Sequence, residues 1–152
     1  AYEIPNRAWS SNVCSSDLLV EAAARLGHRS HVGITATAPG FYGAQGRPIP
    51  RLPIRFPGLA DEMAAQGVLN FEMEASALLV LAGLAGCRAG VVCATYAQRT
   101  EGRFLDPDGR ARAERACVET GLDALVLLAE MSERAAGAGE PGWRLGMGLG
   151  GR

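Results

Sequence analysis

Apolar positions along this chain change their spacing several times, and each change marks an element. Leu19 to Gly27 (LVEAAARLG) has helical spacing, with Asp17 available as a cap and Gly27 as a stop. His31 to Thr37 (HVGITAT) alternates and is β-branched, which predicts a strand that breaks at Ala38-Pro39-Gly40 into a long loop carrying Phe41, Tyr42, Gln45 and Arg47. His31 itself reads as a structural residue entering that strand. Pro48 to Pro57 is punctuated by proline and predicts extended backbone, an edge strand or a loop, with its apolar side chains turned inward. Leu59 to Gln66 follows as a short helix stopped by Gly67, and Val68 to Phe71 as a brief strand.

Chemistry-bearing residues are densest between Gly67 and Thr100. Asn70 is placed to cap a helix whose start holds Glu72 and Glu74, and Ala75 to Gly86 is apolar almost all round, a pattern that predicts burial on most sides. Arg88 to Ala97 then reads as a strand covered on both faces, running out into the polar triplet Gln98-Arg99-Thr100. Thr100 to Arg110 is turn-rich and reads as a lid. Helical spacing from about Ala111 to Arg134 predicts a long amphipathic helix packed on the sheet. Strands alternating with helices define an α/β fold, and ligands in such folds collect where strands end and helices begin. That rule directs attention to Phe71–Glu74 and Tyr96–Arg99.

Both ends depart from this pattern. Residues 1–18 show no period and a different composition, resemble translated adapter sequence, and are expected to be a non-native leader without site residues. Residues 19–134 form the domain portion. Residues 135–152 are glycine-rich and expected to be poorly ordered; Gly146-Met147-Gly148-Leu149-Gly150 imitates part of a dinucleotide fingerprint but lacks the preceding strand and following helix.

Composition narrows the classes. With 152 residues and 48% hydrophobic content the chain supports one domain, and a net charge of -1 offers no basic face to nucleic acid or an anionic membrane. The apolar run at 75–86 is shorter than the ~20 residues a membrane span requires, and no export signal is read at the start. Cys14, Cys87, Cys93 and Cys117 lack metal-ligand spacing and three sit in apolar contexts, so reduced, buried thiols of a cytoplasmic protein are expected and no metal.

From spacing alone, Glu72 and Glu74 are equally explained by the helix dipole, and Gln45 and Arg47 by a solvated loop. The order of motifs adds to this. Asn70-Phe71-Glu72-Met73-Glu74-Ala75-Ser76 followed by Gln98-Arg99-Thr100, with His31-Val32-Gly33-Ile34-Thr35 and Phe41-Tyr42-Gly43-Ala44-Gln45-Gly46-Arg47 upstream, resembles the pyrimidine branch of the nucleoside phosphorylases over roughly Leu19 to Met131. The resemblance implies a three-layer α/β fold, a central mixed sheet flanked by helices, represented here without its N-terminal side. It also implies phosphorolysis of uridine to uracil and ribose 1-phosphate, with inorganic phosphate as co-substrate, no cofactor, and a homo-oligomeric parent protein.

The same resemblance assigns roles. Glu74 would hold the 2′ and 3′ hydroxyls over an apolar floor made by Met73, with Glu72 beside it; Gln45 and Arg47 would read the base edge and Phe41 pack on its ring. Phe71, Tyr96 and Ala97 would complete the wall, and Arg99 would back Arg47. Purine-handling relatives typically carry an aspartate after the last strand, where this chain has Tyr96-Ala97-Gln98-Arg99, and that favours a pyrimidine. Departures are Phe71 in place of a usual tyrosine, the reversed pair Ala75-Ser76, and a bulkier Tyr96. The family's phosphate-binding motifs are not seen, so the fragment is expected to carry the base and ribose half-site and to be inactive alone. The alternatives are a phosphorylase or hydrolase of another nucleoside, or a non-catalytic nucleoside-binding protein.

Overall fold

Two helices far apart in sequence make the core. In the computed structural model, which describes residues 15–51 and 53–137, α1 (Ser15–Arg25) lies along α4 (Pro107–Gly137). Leu18 and Ala22 of α1 pack with Ala124, Leu127, Met131 and Ala135 of α4, and Leu19 and Leu128 flank them. Alanine at three of these six positions lets the helices approach closely. The helix expected from Leu19 therefore begins at Ser15 and already buries Leu18, and Asp17 sits in its first turn.

The long helix also begins earlier than its spacing suggested. Pro107 has no N–H to lose at a first helical position, and the Asp106 carboxylate accepts the Gly109 amide at 2.6 Å, the geometry of an N-cap. α4 packs on α1 rather than on a sheet. It continues to Gly137 with Ala135 buried, past the expected end at Arg134. The glycine string at 146–150 and residues 1–14 lie outside the described residues.

Between these helices the chain builds a parallel unit: β1 (Ile34–Thr37), α2 (Leu59–Ala65) and β2 (Val68–Glu72). Thr35 pairs with Asn70, Ala36 with Phe71 and Thr37 with Glu72. Parallel neighbours need a crossover, and the loop and α2 supply it. Asn70 is thus a strand residue, not a helix cap; the next helix, α3, spans Ala75–Leu84. Of the edge strand and the loop expected after Arg47, the described residues 48–51 and 53–57 form the loop, with turns and one bridge at Ile49, because four prolines there offer no amides to a ladder.

Three expectations about burial are corrected. Cys87 and Cys93, expected to be buried, are exposed, because the apolar segments that hold them are left largely uncovered by the described elements. α3 is apolar all round, yet only Ala75 is buried, and Leu78, Leu79, Val80, Leu81 and Leu84 are exposed. A helix of that kind needs cover on several sides, and the described elements leave most of it bare. Likewise Arg88–Tyr96 forms no strand; only Ala97 of the run enters a ladder, in β3 (Ala97–Gln98), antiparallel to β4 (Arg103–Phe104). Among the described residues the strands pair only as β1 with β2 and β3 with β4, which leaves that run without a ladder partner. The expected lid is a hairpin turning at Gly102 (φ 63°). Arg103 ties it to Glu101 at 2.6 Å and to Gln98 at 2.5 Å, and the Leu105 amide closes on the Tyr96 carbonyl at 2.9 Å. Helices with a small mixed set of strands place the chain in the α/β class.

Candidate functional site

The two parallel strands end level with one another. Thr37 lies opposite Glu72, and the Ala38 amide donates to the Glu72 carbonyl at 2.8 Å as the chain leaves the sheet. Side chains at paired positions project to the same face, so the Thr37 hydroxyl meets the Glu72 carboxylate and donates to its Oε1. Glu72 Oε2 accepts the Glu74 amide at 2.7 Å and the Ala75 amide at 2.5 Å. Burial pushes the Glu72 carboxyl up, but hydrogen bonds from Thr37, Ala75 and Glu74 outweigh it and hold the carboxyl below its ordinary range. Glu74, by contrast, is exposed and does not cap α3 with its side chain; among the described residues its Oε2 accepts the Met73 amide, at 3.1 Å.

The loop after β1 folds into a tight turn. The Tyr42 carbonyl accepts the amides of Gln45 at 3.0 Å and Arg47 at 2.9 Å. Gly46 between them is left-handed (φ 66°), and a Cβ there would lie 3.0 Å from the Phe56 carbonyl oxygen and 3.2 Å from Leu59 Cβ. The turn buries Gln45 (4% exposed) and leaves Arg47 half-buried. Arg47 lays its guanidinium 4.1 Å from the centroid of the Phe41 ring, and Phe41 meets Tyr42 edge to face at 5.2 Å. From the other side, the Arg99 guanidinium stands 5.6 Å from the Phe71 ring. Burial and then the like charge of Arg47 push the Arg99 pKa down, opposed by Asp61 of α2.

These two arginines hold the site's unspent capacity. Arg47 Nε and Arg99 Nη1 are buried and, among the described residues, have no hydrogen-bond partner. Buried N–H groups without acceptors are costly, so such donors beside aromatic faces suit a flat ligand with acceptors on its edge. No group of three metal-ligating side chains is present among the described residues, and no helix there is long and apolar enough to cross a membrane.

Most of the residues singled out by sequence come together here. Phe41, Gln45 and Arg47 form one side, Phe71 and Arg99 the other, and Glu72, Met73 and Glu74 follow Phe71 directly in the chain. Ala97 is half-buried in β3. Tyr96 is committed elsewhere: its hydroxyl donates to Glu114 of α4 at 2.9 Å, and that bond pushes the phenol pKa up. His31 precedes β1 and is exposed. Two contributors were not singled out, Thr37 and Asp61. Thr37 carried only the signal of a strand-forming residue, and Asp61 that of a first-turn acid on a short helix.

Parallel strands that end at Thr37 and Glu72, with two guanidinium groups set against aromatic rings on the flanking loops, define an α/β protein, and in such folds ligands collect where strands end. The phosphorylase superfamily model matches residues 4–126, and the chain belongs to that family. It is 42% identical over 133 residues to a uridine phosphorylase of Thermococcus kodakarensis, covering 85% of this chain and 46% of that protein. Uridine phosphorylase of Escherichia coli is 35% identical over 109 residues, with 70% and 43% covered. A DeoD-type purine nucleoside phosphorylase of Hahella chejuensis is 33% identical over 117 residues, with 75% and 45% covered. The chain thus spans about half the length of the curated relatives it matches.

Proposed function

We propose that the protein takes part in the phosphorolysis of a pyrimidine nucleoside, uridine to uracil and ribose 1-phosphate, and that this chain supplies the base and ribose half of the site. Breaking the N-glycosidic bond builds positive charge on the ribose ring and negative charge on the departing base. Glu74 accepts hydrogen bonds from neighbouring ribose hydroxyls and offsets the first. Gln45 and Arg47 donate to the base edge and stabilise the second, with Phe41 and Phe71 against the ring and Arg99 reinforcing Arg47. Phosphate attacks from the opposite face, bound by parts of the protein beyond those assigned here. On this reading the complete protein is a cytoplasmic homo-oligomer with the three-layer arrangement, and the present chain binds without turning over.

The observation that carries the reading is the pair of buried guanidinium donors, without hydrogen-bond partners among the described residues, set against aromatic rings. Uracil presents two carbonyl oxygens on a flat ring and satisfies both features. A purine is the competing ligand, raised by the similarity to a purine nucleoside phosphorylase. Calorimetric titration of the chain with uracil, uridine and inosine separates the two. We expect uracil and uridine to bind, inosine to bind more weakly, and Glu74→Gln to weaken uridine about tenfold while leaving uracil within about twofold. No uracil release is expected from uridine and phosphate with this chain alone. Tighter binding of inosine than uridine would transfer the proposal to purines; no binding of either at millimolar concentration would end it.

A further inference from the structure

We infer that Thr37 is a positioning residue: its hydroxyl fixes Glu72 as the cap of α3, so that the adjacent Glu74 is left free for the sugar. The inference rests on the nucleoside reading for what Glu74 binds, but the clamp itself stands on geometry.

A hydroxyl carries one donor and accepts as well, and Thr37 uses both functions. It donates to Glu72 Oε1 and accepts the Ser76 amide at 3.0 Å. Glu72 Oε2 takes the Ala75 amide, so the first two N–H groups of α3 are satisfied from β1 and β2 rather than from the cap position. Glu74 occupies that cap position. In most helices the side chain there turns back to accept an amide of the first turn, and a carboxylate so engaged loses acceptor capacity for a ligand. Here the engagement has moved two residues upstream, to Glu72, and across the sheet to Thr37. Without the Thr37 hydroxyl, Glu72 Oε1 loses its donor and the Ser76 amide its acceptor. Glu74 is then the nearest carboxylate able to turn inward and cap the helix. The division of labour between the two glutamates therefore depends on a residue that touches neither ligand nor the loop that reads the base.

Thr37→Val keeps the β-branched shape suited to a strand and removes the hydroxyl, whereas Thr37→Ser keeps the hydroxyl. In Thr37→Val we expect uridine affinity to fall about tenfold while uracil affinity changes less than about twofold, because only the sugar contact is misplaced. The Ser76 amide should exchange with solvent faster, and the Glu72 carboxyl, followed by carbon NMR, should titrate at higher pH. Thr37→Ser should restore all three readings. Equal losses for uridine and uracil, unchanged Ser76 exchange, or failure of Thr37→Ser to rescue would each overturn the inference. Should the unaltered chain bind no uridine, the nucleoside reading fails by itself. The Ser76 and Glu72 measurements then decide the clamp: changes in Thr37→Val support it and unchanged values overturn it.

Discussion

Arg47→Met should make the chain more stable and a poorer ligand binder at once. Two opposing sets of terms meet at this guanidinium. Its Nε is buried without a partner among the described residues, a condition that costs about 1–3 kcal/mol for a fully desolvated group and sits at the lower end for a half-buried side chain. It also lies close enough to Arg99 for like-charge repulsion to push the Arg99 pKa down. Against this stands the stacking over Phe41 at 4.1 Å, and Phe41 is about half exposed, so that contact contributes about 0.5–1 kcal/mol. Methionine keeps an unbranched apolar stem over the ring while deleting charge and donors. The net expectation is a small gain of about 0.5 kcal/mol, or a rise of about 2 °C in melting midpoint for a domain of this size. Bound uracil reverses the sign, since a charge-assisted hydrogen bond is worth about 1.5–3 kcal/mol, or roughly 10- to 100-fold in affinity. Thermal melts of both proteins with and without saturating uracil measure both numbers. A lower midpoint for Arg47→Met without ligand, together with unchanged uracil affinity, would refute the idea that Arg47 is held in a costly state for the base.

Leu127→Ala opens a cavity in the α1–α4 seam, where Leu127 is 4% exposed; urea denaturation should show a loss of about 2–5 kcal/mol, and a loss under about 1 kcal/mol would mean the seam is not the core. Asp106→Ala removes the acceptor of the Gly109 amide at the start of α4 and should cost about 1 kcal/mol in the same assay, with Asp106→Asn retaining most of it. The Glu72 carboxyl is held below its ordinary value of 4.5, so its contribution to stability is fully present above that value and is lost as pH falls through the lowered one. Glu72→Gln should therefore flatten the acid limb of a stability-against-pH curve, and an unaltered limb would show that Glu72 does not titrate differently on folding.

How much of this was legible beforehand depended on the range of the interaction involved. The segment from Leu59 to Phe71 was readable because Gly67 stops a helix by its own conformational freedom (φ 82°) and the apolar run after it is too short for another helix. Glu72 and Glu74 were readable as a pair at a strand-to-helix junction, but their different duties were not, because Glu72 is set by Thr37, which is 35 residues away. Asn70 was misplaced for a related reason: its side chain suits a cap, and pairing with Thr35 decides otherwise. The Arg88–Ala97 run has the composition of a central strand, yet a strand is a property of two segments and its neighbour cannot be read from its own residues. Burial of α3 failed in the same way, since apolar composition states a demand for cover without supplying it. Helix spacing in α4 was visible, but its early start rested on Asp106 and Pro107, which read equally well as turn residues.

The conformation of Gly46 reaches beyond the turn it makes. Because a side chain there would run into the Phe56 carbonyl and Leu59, the loop carrying Gln45 and Arg47 rests against the start of α2 as a part rests against a stop. The position of Gln45 and Arg47 is then set in part by Leu59, a residue outside the proposed ligand contacts. If those two residues read a base as proposed, a larger or smaller side chain at position 59 would shift the loop and change the ring it accepts. Base preference would then drift through α2 with every proposed contact residue unchanged.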